Sequence, residues 1–202
     1  MNAYQQEQLE ALRIVRQGLA RLSTSGRRRL DHEIEPYCRF RTSVDIFLDR
    51  YLKGICTRLC YRSRTSACCS RDGIIAFFAD VVINALTAEK EELDRLEKAI
   101  QHPSNEGKCI FLAESGCLWR IKPVVCEMFL CDEAENRVFG KDPGVLNQWV
   151  AFKEEKKRFT WPDQPVLFEK LEAFFMASGC SSSLMYIHKS PGLMRIKENR
   201  EK

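Results

Sequence analysis

The chain has 202 residues, 45% of them hydrophobic and 30% charged, with a formal net charge of +4 at pH 7. Those proportions exclude wholesale disorder and fit one ordinary folded domain spanning residues 1–202. The apolar runs fall short of the roughly eighteen residues that a membrane span needs.

Taken in chain order, the first expected element is a helix from Tyr4 to Leu22, with Leu9, Leu12, Val15 and Leu19 forming an amphipathic stripe. The turn formers Ser23-Thr24-Ser25-Gly26 end it. A second helix is expected from about Thr42 to Leu59, with Val44, Leu48, Tyr51, Ile55 and Leu59 on one face. CYRSRTSACCSRDG has no apolar period and reads as a loop. GIIAFF is a short apolar run, either a strand or the start of a helix. Helices are expected over Ala79–Leu86 and Thr87–Gln101, the second with Leu93, Leu96 and Ile100 facing inward. CIFL–AESG–CLWRI then resembles a hairpin, two apolar runs around a turn containing Gly116. Asp142-Pro143 is an N-cap followed by proline at the first helical position. It opens a helix to about Arg158, and another runs from Pro165 to Ala177. The last dozen residues are polar and expected to fray. The fold class that follows is mainly α with a small β-hairpin element.

Ten cysteines, about one residue in twenty, are the unusual feature. The N-terminus MNAYQQEQLEALRIVRQGL is polar and lacks the apolar core of a signal peptide, so the expected location is the cytoplasm. There thiols serve metals or redox chemistry more often than structural disulfides. Eight cysteines fall in two groups: Cys56, Cys60, Cys68 and Cys69, then Cys109, Cys117, Cys126 and Cys131. Thiolates are soft, charged ligands suited to zinc and to iron–sulfur clusters, [4Fe–4S] among them, and four close one such site. The candidate ligands are therefore these eight, in a metal-binding core over residues 56–131. Cys38 and Cys180 stand alone and read as thiols or small buried residues. The scattered His32, His102 and His188 read as surface residues.

Spacing limits which cysteines can share a metal. Cys56 and Cys60 lie four apart, on one face if the helix reaches that far. Adjacent Cys68 and Cys69 can point at one site only through a turn. Four residues of strand from Cys109 to Ala113 span roughly 13 Å at about 3.3 Å each, whereas a zinc-bound sulfur sits about 2.3 Å from its metal. Either the hairpin bends sharply, or Cys109 and Cys117 belong to different sites. Cys126 and Cys131, five apart, suit ligation across a helix end. Arg71, Arg120 and Lys122 are close in sequence to Cys69, Cys117 and Cys126, where a cation favours the thiolate.

Between Met1 and Asp72 fourteen Lys/Arg stand against eight Asp/Glu, an excess of six. Arg27-Arg28-Arg29 and Lys156-Lys157-Arg158 are the densest clusters. Without interleaved aromatics they read as solvated faces rather than a nucleic-acid surface.

The stretch CIFLAESGCLWRIKPVVCEMFLC resembles the second half of the YkgJ-type cysteine-cluster family, described as a zinc- or iron-chelating domain. That family's pattern is a cysteine, a leucine, Gly-Cys, an aromatic, Arg-Pro, then two cysteines around a phenylalanine. Here these are Cys109, Leu112, Gly116-Cys117, Trp119, Lys122-Pro123, Cys126, Phe129 and Cys131. Upstream, Cys68-Cys69 resembles the double cysteine of the family's first half. The family's C-x2-C-x2-CC spacing is not kept, since seven residues separate Cys60 from Cys68. Lys122 stands for the usual arginine, and Glu127 for a common one.

The resemblance implies a metal- or cluster-binding protein whose centre acts in structure, electron transfer or sensing. Kinship with flagellin lysine N-methylases makes a cluster-dependent protein lysine N-methylase the second reading. A zinc-stapled interaction module is the third. Expected partners are the metal or cluster and a protein, with no specific nucleic acid and no membrane.

Overall fold

Asn2 and Gln5 start the first helix by satisfying each other. The Gln5 N–H donates to the Asn2 side chain at 2.9 Å, and the Asn2 N–H donates to the Gln5 side chain at 2.8 Å. A computed structural model describes residues 1–55, 75–103, 109–113, 116–140, 142–161, 165–191 and 193. Helix α1, Ala3–Ala20, buries Leu9, Leu12, Val15 and Leu19, the stripe that its spacing predicts.

Ser23 ends that helix and caps the next, accepting from the Gly26 N–H at 3.1 Å. Helix α2 is Thr24–Tyr51, so it begins at Thr24 rather than Thr42. Its apolar face runs through Leu30, Ile34, Tyr37, Phe40, Val44 and Phe47 at three-to-four spacing. Three arginines, a buried Arg41 and Pro36 obscure that period. Pro36 is exposed, so the backbone bond that it removes is on the solvent side, where water can replace it. Leu52 follows, buried, and α3 is Lys53–Ile55. The predicted continuation to Leu59, and the loop from Cys60 to Gly73, lie outside the described residues.

Ile75–Phe77 is extended, which settles the described part of GIIAFF as neither strand nor helix. Helix α4, Phe78–Thr87, is buried on every side from Phe78 to Leu86, as expected of a helix at the centre of a bundle. Helix α5, Lys90–Gln101, turns Leu93, Leu96 and Ile100 inward. The hairpin is reduced to β1, Leu112–Ala113, and β2, Gly116–Cys117, antiparallel with Leu112 opposite Cys117 and Ala113 opposite Gly116. Short helices α6, Val124–Glu127, and α7, Asp132–Phe139, follow, neither with enough apolar period to be foreseen. Helix α8, Pro143–Thr160, starts on the predicted cap, with Asp142 accepting from Gly144 N–H at 2.8 Å. Helices α9, Leu167–Ala177, and α10, Tyr186–Lys189, complete the described chain. The fold is mainly α, as its sequence predicts.

α4 is the hub: α1 and α9 pack on it, α5 packs on α1, and α8 on α9. Aromatic contacts join α2 to α8 and α9, with Tyr37 edge-on to Phe159 and Phe168 and Phe47 stacked on Trp149 at 5.4 Å between centroids. Arg16 bridges Asp94 at 2.6 Å and Glu97 at 2.9 Å between α1 and α5. The Gln5 amide reaches the last turn of α5, donating to Ile100 O at 2.7 Å. Among the described residues, no helix is long and apolar enough to cross a membrane.

Gly18 marks the closest approach of α1 to α9, since a Cβ there would sit 2.5 Å from Cε1 of buried Phe175. Alanine favours a helix interior over glycine by about 1 kcal/mol, but overpacking a core costs roughly 1–3 kcal/mol. Gly18→Ala is therefore expected to lower the urea midpoint. An unchanged or higher midpoint would mean that the ring moves aside at little cost.

Candidate metal centre

Central α4 carries two polar residues that fall on one face, Asp80 and Asn84, four apart and both buried. They hold the backbone between the third and fourth clustered cysteines of the described chain. Asn84 Oδ1 accepts from the N–H groups of Arg120 at 2.8 Å and Ile121 at 3.1 Å. Asp80 Oδ1 accepts from Val124 N–H at 3.1 Å, and its Oδ2 from Phe77 N–H at 3.0 Å. A side-chain clamp of this kind supplies partners to backbone donors that would otherwise be buried unpaired.

A second anchor meets the segment from α2. Arg41 and Glu127 form a buried ion pair, both side chains 2% exposed. Arg41 Nε donates to Glu127 Oε2 at 3.0 Å, and its terminal nitrogens reach Tyr37 Oη at 2.6 Å and Lys122 O at 2.8 Å. Lys122 Nζ donates to the other Glu127 oxygen at 2.9 Å and lies 3.6 Å from Asp45. Burial pushes Glu127 up, but the charges of Arg41 and Lys122 outweigh it and bring the carboxyl below its ordinary value. Lys122 is therefore a paired, half-exposed member of this network, and its charge still acts on Cys117.

The cysteines are distributed around these anchors. Cys109 is buried, and Leu112 N–H donates to its carbonyl at 3.0 Å. A β-turn with that bond brings its ends within about 7 Å. The hairpin thus bends sharply at Ile110-Phe111, and Cys109 is not carried away along a straight strand. Cys117 ends β2 and is exposed; Cys126 lies in α6, with its thiol 3.7 Å from Ile75 O. All three act electrostatically on one group, the hydroxyl of Tyr4 in the first turn of α1. That hydroxyl is buried and has no hydrogen-bond partner. Cys131 is the N-cap of α7, across a helix break from Cys126, as its spacing predicts. Cys38 and Cys180 are half-buried against the core. Cys56, Cys60, Cys68 and Cys69 lie outside the described residues.

His32 and His102 are exposed. The expectation that His188 is likewise a surface residue is corrected: its ring is half-buried, with Nδ1 2.8 Å from a fully buried Glu172 oxygen. Glu172 also accepts from His188 N–H at 3.2 Å. A carboxylate inside the α9 face needs these partners, and α10 supplies them.

Among the described residues, no three His, Cys, Asp or Glu side chains gather closely enough to hold a metal by themselves. The donor set nonetheless fits a soft metal: three sulfurs from separate segments share the surroundings of one buried hydroxyl. Tyr4, Asp80, Asn84 and Arg41 were not singled out by sequence reasoning. The isolated polar pair in FADVVINALT, four apart in an otherwise apolar helix, is a signal for two of them.

Removing one partner of a buried ion pair typically costs about 3–5 kcal/mol, whereas removing both costs much less than the sum. Arg41→Met and Glu127→Leu should each lower unfolding free energy on that scale, and the double variant should lose well short of their total. Strict additivity in urea unfolding would contradict the coupling.

Burial pushes Asp80 up to about 6, against its two N–H donors and the charge of Arg41. The folded chain therefore binds the Asp80 proton more tightly than the unfolded chain. Stability from this group is present below the ordinary carboxylate pKa and is lost as pH rises through about 6. Half-exposed Asp45, pushed up to about 6 by burial and by Glu127, acts with the same sign. The urea midpoint should fall between about pH 5 and 7, and Asp80→Asn should flatten that fall. A carboxyl signal of Asp80 titrating at the ordinary value would rule this out.

No protein-family model matches the chain, and neither a curated protein nor a solved structure does.

Proposed function

We propose that this chain is a cytoplasmic protein that binds a metal centre, an iron–sulfur cluster or zinc, through the thiolates of its clustered cysteines. The centre serves a structural, redox or sensing role. The observation that carries this reading is the convergence of Cys109, Cys117 and Cys126, from three separate segments, on the buried Tyr4 hydroxyl. Three sulfurs held together by chance in a core would need no such anchoring, yet the connecting backbone is clamped by Asp80 and Asn84. Cys131 follows Cys126 across the helix break and belongs to the same set. Cys56, Cys60, Cys68 and Cys69 are proposed to complete the ligands, in keeping with the resemblance to cysteine-cluster proteins.

Such a centre would supply negative sulfur ligands and, for iron, an electron-accepting site. The chain's own residues hold the ligands apart from water and fix their spacing. Lys122, whose charge acts on Cys117, favours the thiolate over the thiol.

Anaerobic purification from cells supplied with both iron and zinc, followed by metal analysis and an absorption spectrum, tests the reading. A bound metal is expected, with a broad visible band if it is iron–sulfur. Serine at Cys117, Cys126 or Cys131 should lower occupancy several-fold, while serine at Cys38 or Cys180 leaves it unchanged. Metal-free wild-type protein, or equal loss from both sets, would overturn the proposal.

A further inference from the structure

Tyr4 stands out among the groups that the fold does not explain. Its hydroxyl is shut away from solvent without a hydrogen-bond partner, an arrangement that costs roughly 1–3 kcal/mol. It is placed there firmly. The Asn2–Gln5 cap fixes the first turn of α1, and the Gln5 amide ties that turn to Ile100 O at the end of α5. The hydroxyl's neighbours include the sulfurs of Cys109, Cys126 and Cys117 and the ring of Tyr186. A hydroxyl can turn its O–H toward whichever neighbour becomes the best acceptor. A neutral thiol is a weak acceptor, but a metal-bound thiolate carries the charge that an O–H donor seeks.

We propose that Tyr4 is a positioning residue of the thiolate site, its buried hydroxyl donating a hydrogen bond to a metal-bound sulfur of the Cys109–Cys126 pair. This rests on the reading above that those cysteines ligate a metal. The group acts as a donor and not as a ligand, because burial and the nearby sulfurs favour its neutral, protonated form. The orphaned hydroxyl of the metal-free chain is thereby given its partner when the metal binds. Hydrogen bonds to ligating groups hold their orientation and tune the metal, and their loss typically costs about 10–100-fold in affinity.

The test compares wild-type and Tyr4→Phe protein, which differ by one oxygen, in the full chain. Each is stripped of metal and titrated with cobalt(II), whose thiolate absorption reports ligation. Tyr4→Phe should weaken cobalt binding by about tenfold and shift the sulfur-to-cobalt band to lower energy, because an unbonded thiolate gives up its electrons more readily. Metal-free Tyr4→Phe should melt no lower than wild type, since it removes an unpaired hydroxyl and keeps the ring. A substitution that leaves affinity and band unchanged, in a chain that metal analysis shows to be metal-loaded, overturns the role of Tyr4 alone. A metal-free variant that melts well below wild type also overturns it, because the hydroxyl would then have a partner without metal. Failure of wild-type protein to hold any metal overturns both this proposal and the reading on which it rests.

Discussion

The cysteine-bearing stretch from Cys117 to Cys131 has little regular structure of its own, two strand residues and one four-residue helix. Its position depends on the hydrogen bonds that Asp80 and Asn84 extend from the central helix. Three backbone N–H groups, of Arg120, Ile121 and Val124, are received by two side chains on one face of α4. A charged acceptor in such a bond is worth about 1.5–3 kcal/mol, and an unpaired buried donor costs a similar amount. The constraint is thus double: the segment needs the acceptors, and the acceptors need the segment. Because α4 is packed on all sides, that placement is inherited by everything attached to it.

The Arg41–Glu127 pair works from the other flank. Buried ion pairs are weak sources of stability, because desolvation offsets most of the attraction. They are strict about geometry, however. Arg41 contacts the carboxylate of Glu127, the carbonyl of Lys122 and the hydroxyl of Tyr37 at once. Only one placement of the Lys122–Glu127 turn satisfies all three. Since Cys126 precedes Glu127, the pair also determines where that thiol can be.

Between these anchors the chain places three sulfurs and one unpartnered hydroxyl close together. A purely apolar core could be packed there at lower cost, since cysteine and tyrosine bring groups that prefer partners. The arrangement makes physical sense if the sulfurs carry charge in the working protein. That links the local chemistry to the bundle: helix α1, through Tyr4, covers the site that α4 and α2 position from beneath.

The sequence by itself determined the helical class, the stripes of α1 and α5, the cap of α8 and the grouping of cysteines. Each of these is local, set by side chains within a few residues of one another, and periodicity or turn chemistry expresses it directly. Where a local signal was masked, the reading failed: Pro36 and the arginines hid the first half of α2, and α6 and α7 are too short to show a period. Only the tertiary structure decided that the hairpin bends at Ile110-Phe111, so that Cys109 lies near Cys117 rather than a strand's length away. It alone decided that Tyr4 meets cysteines more than a hundred residues distant in the chain, and that His188 is drawn in to serve Glu172. Those outcomes depend on which buried polar group finds which partner across the bundle, a matter of packing that no spacing along the chain encodes.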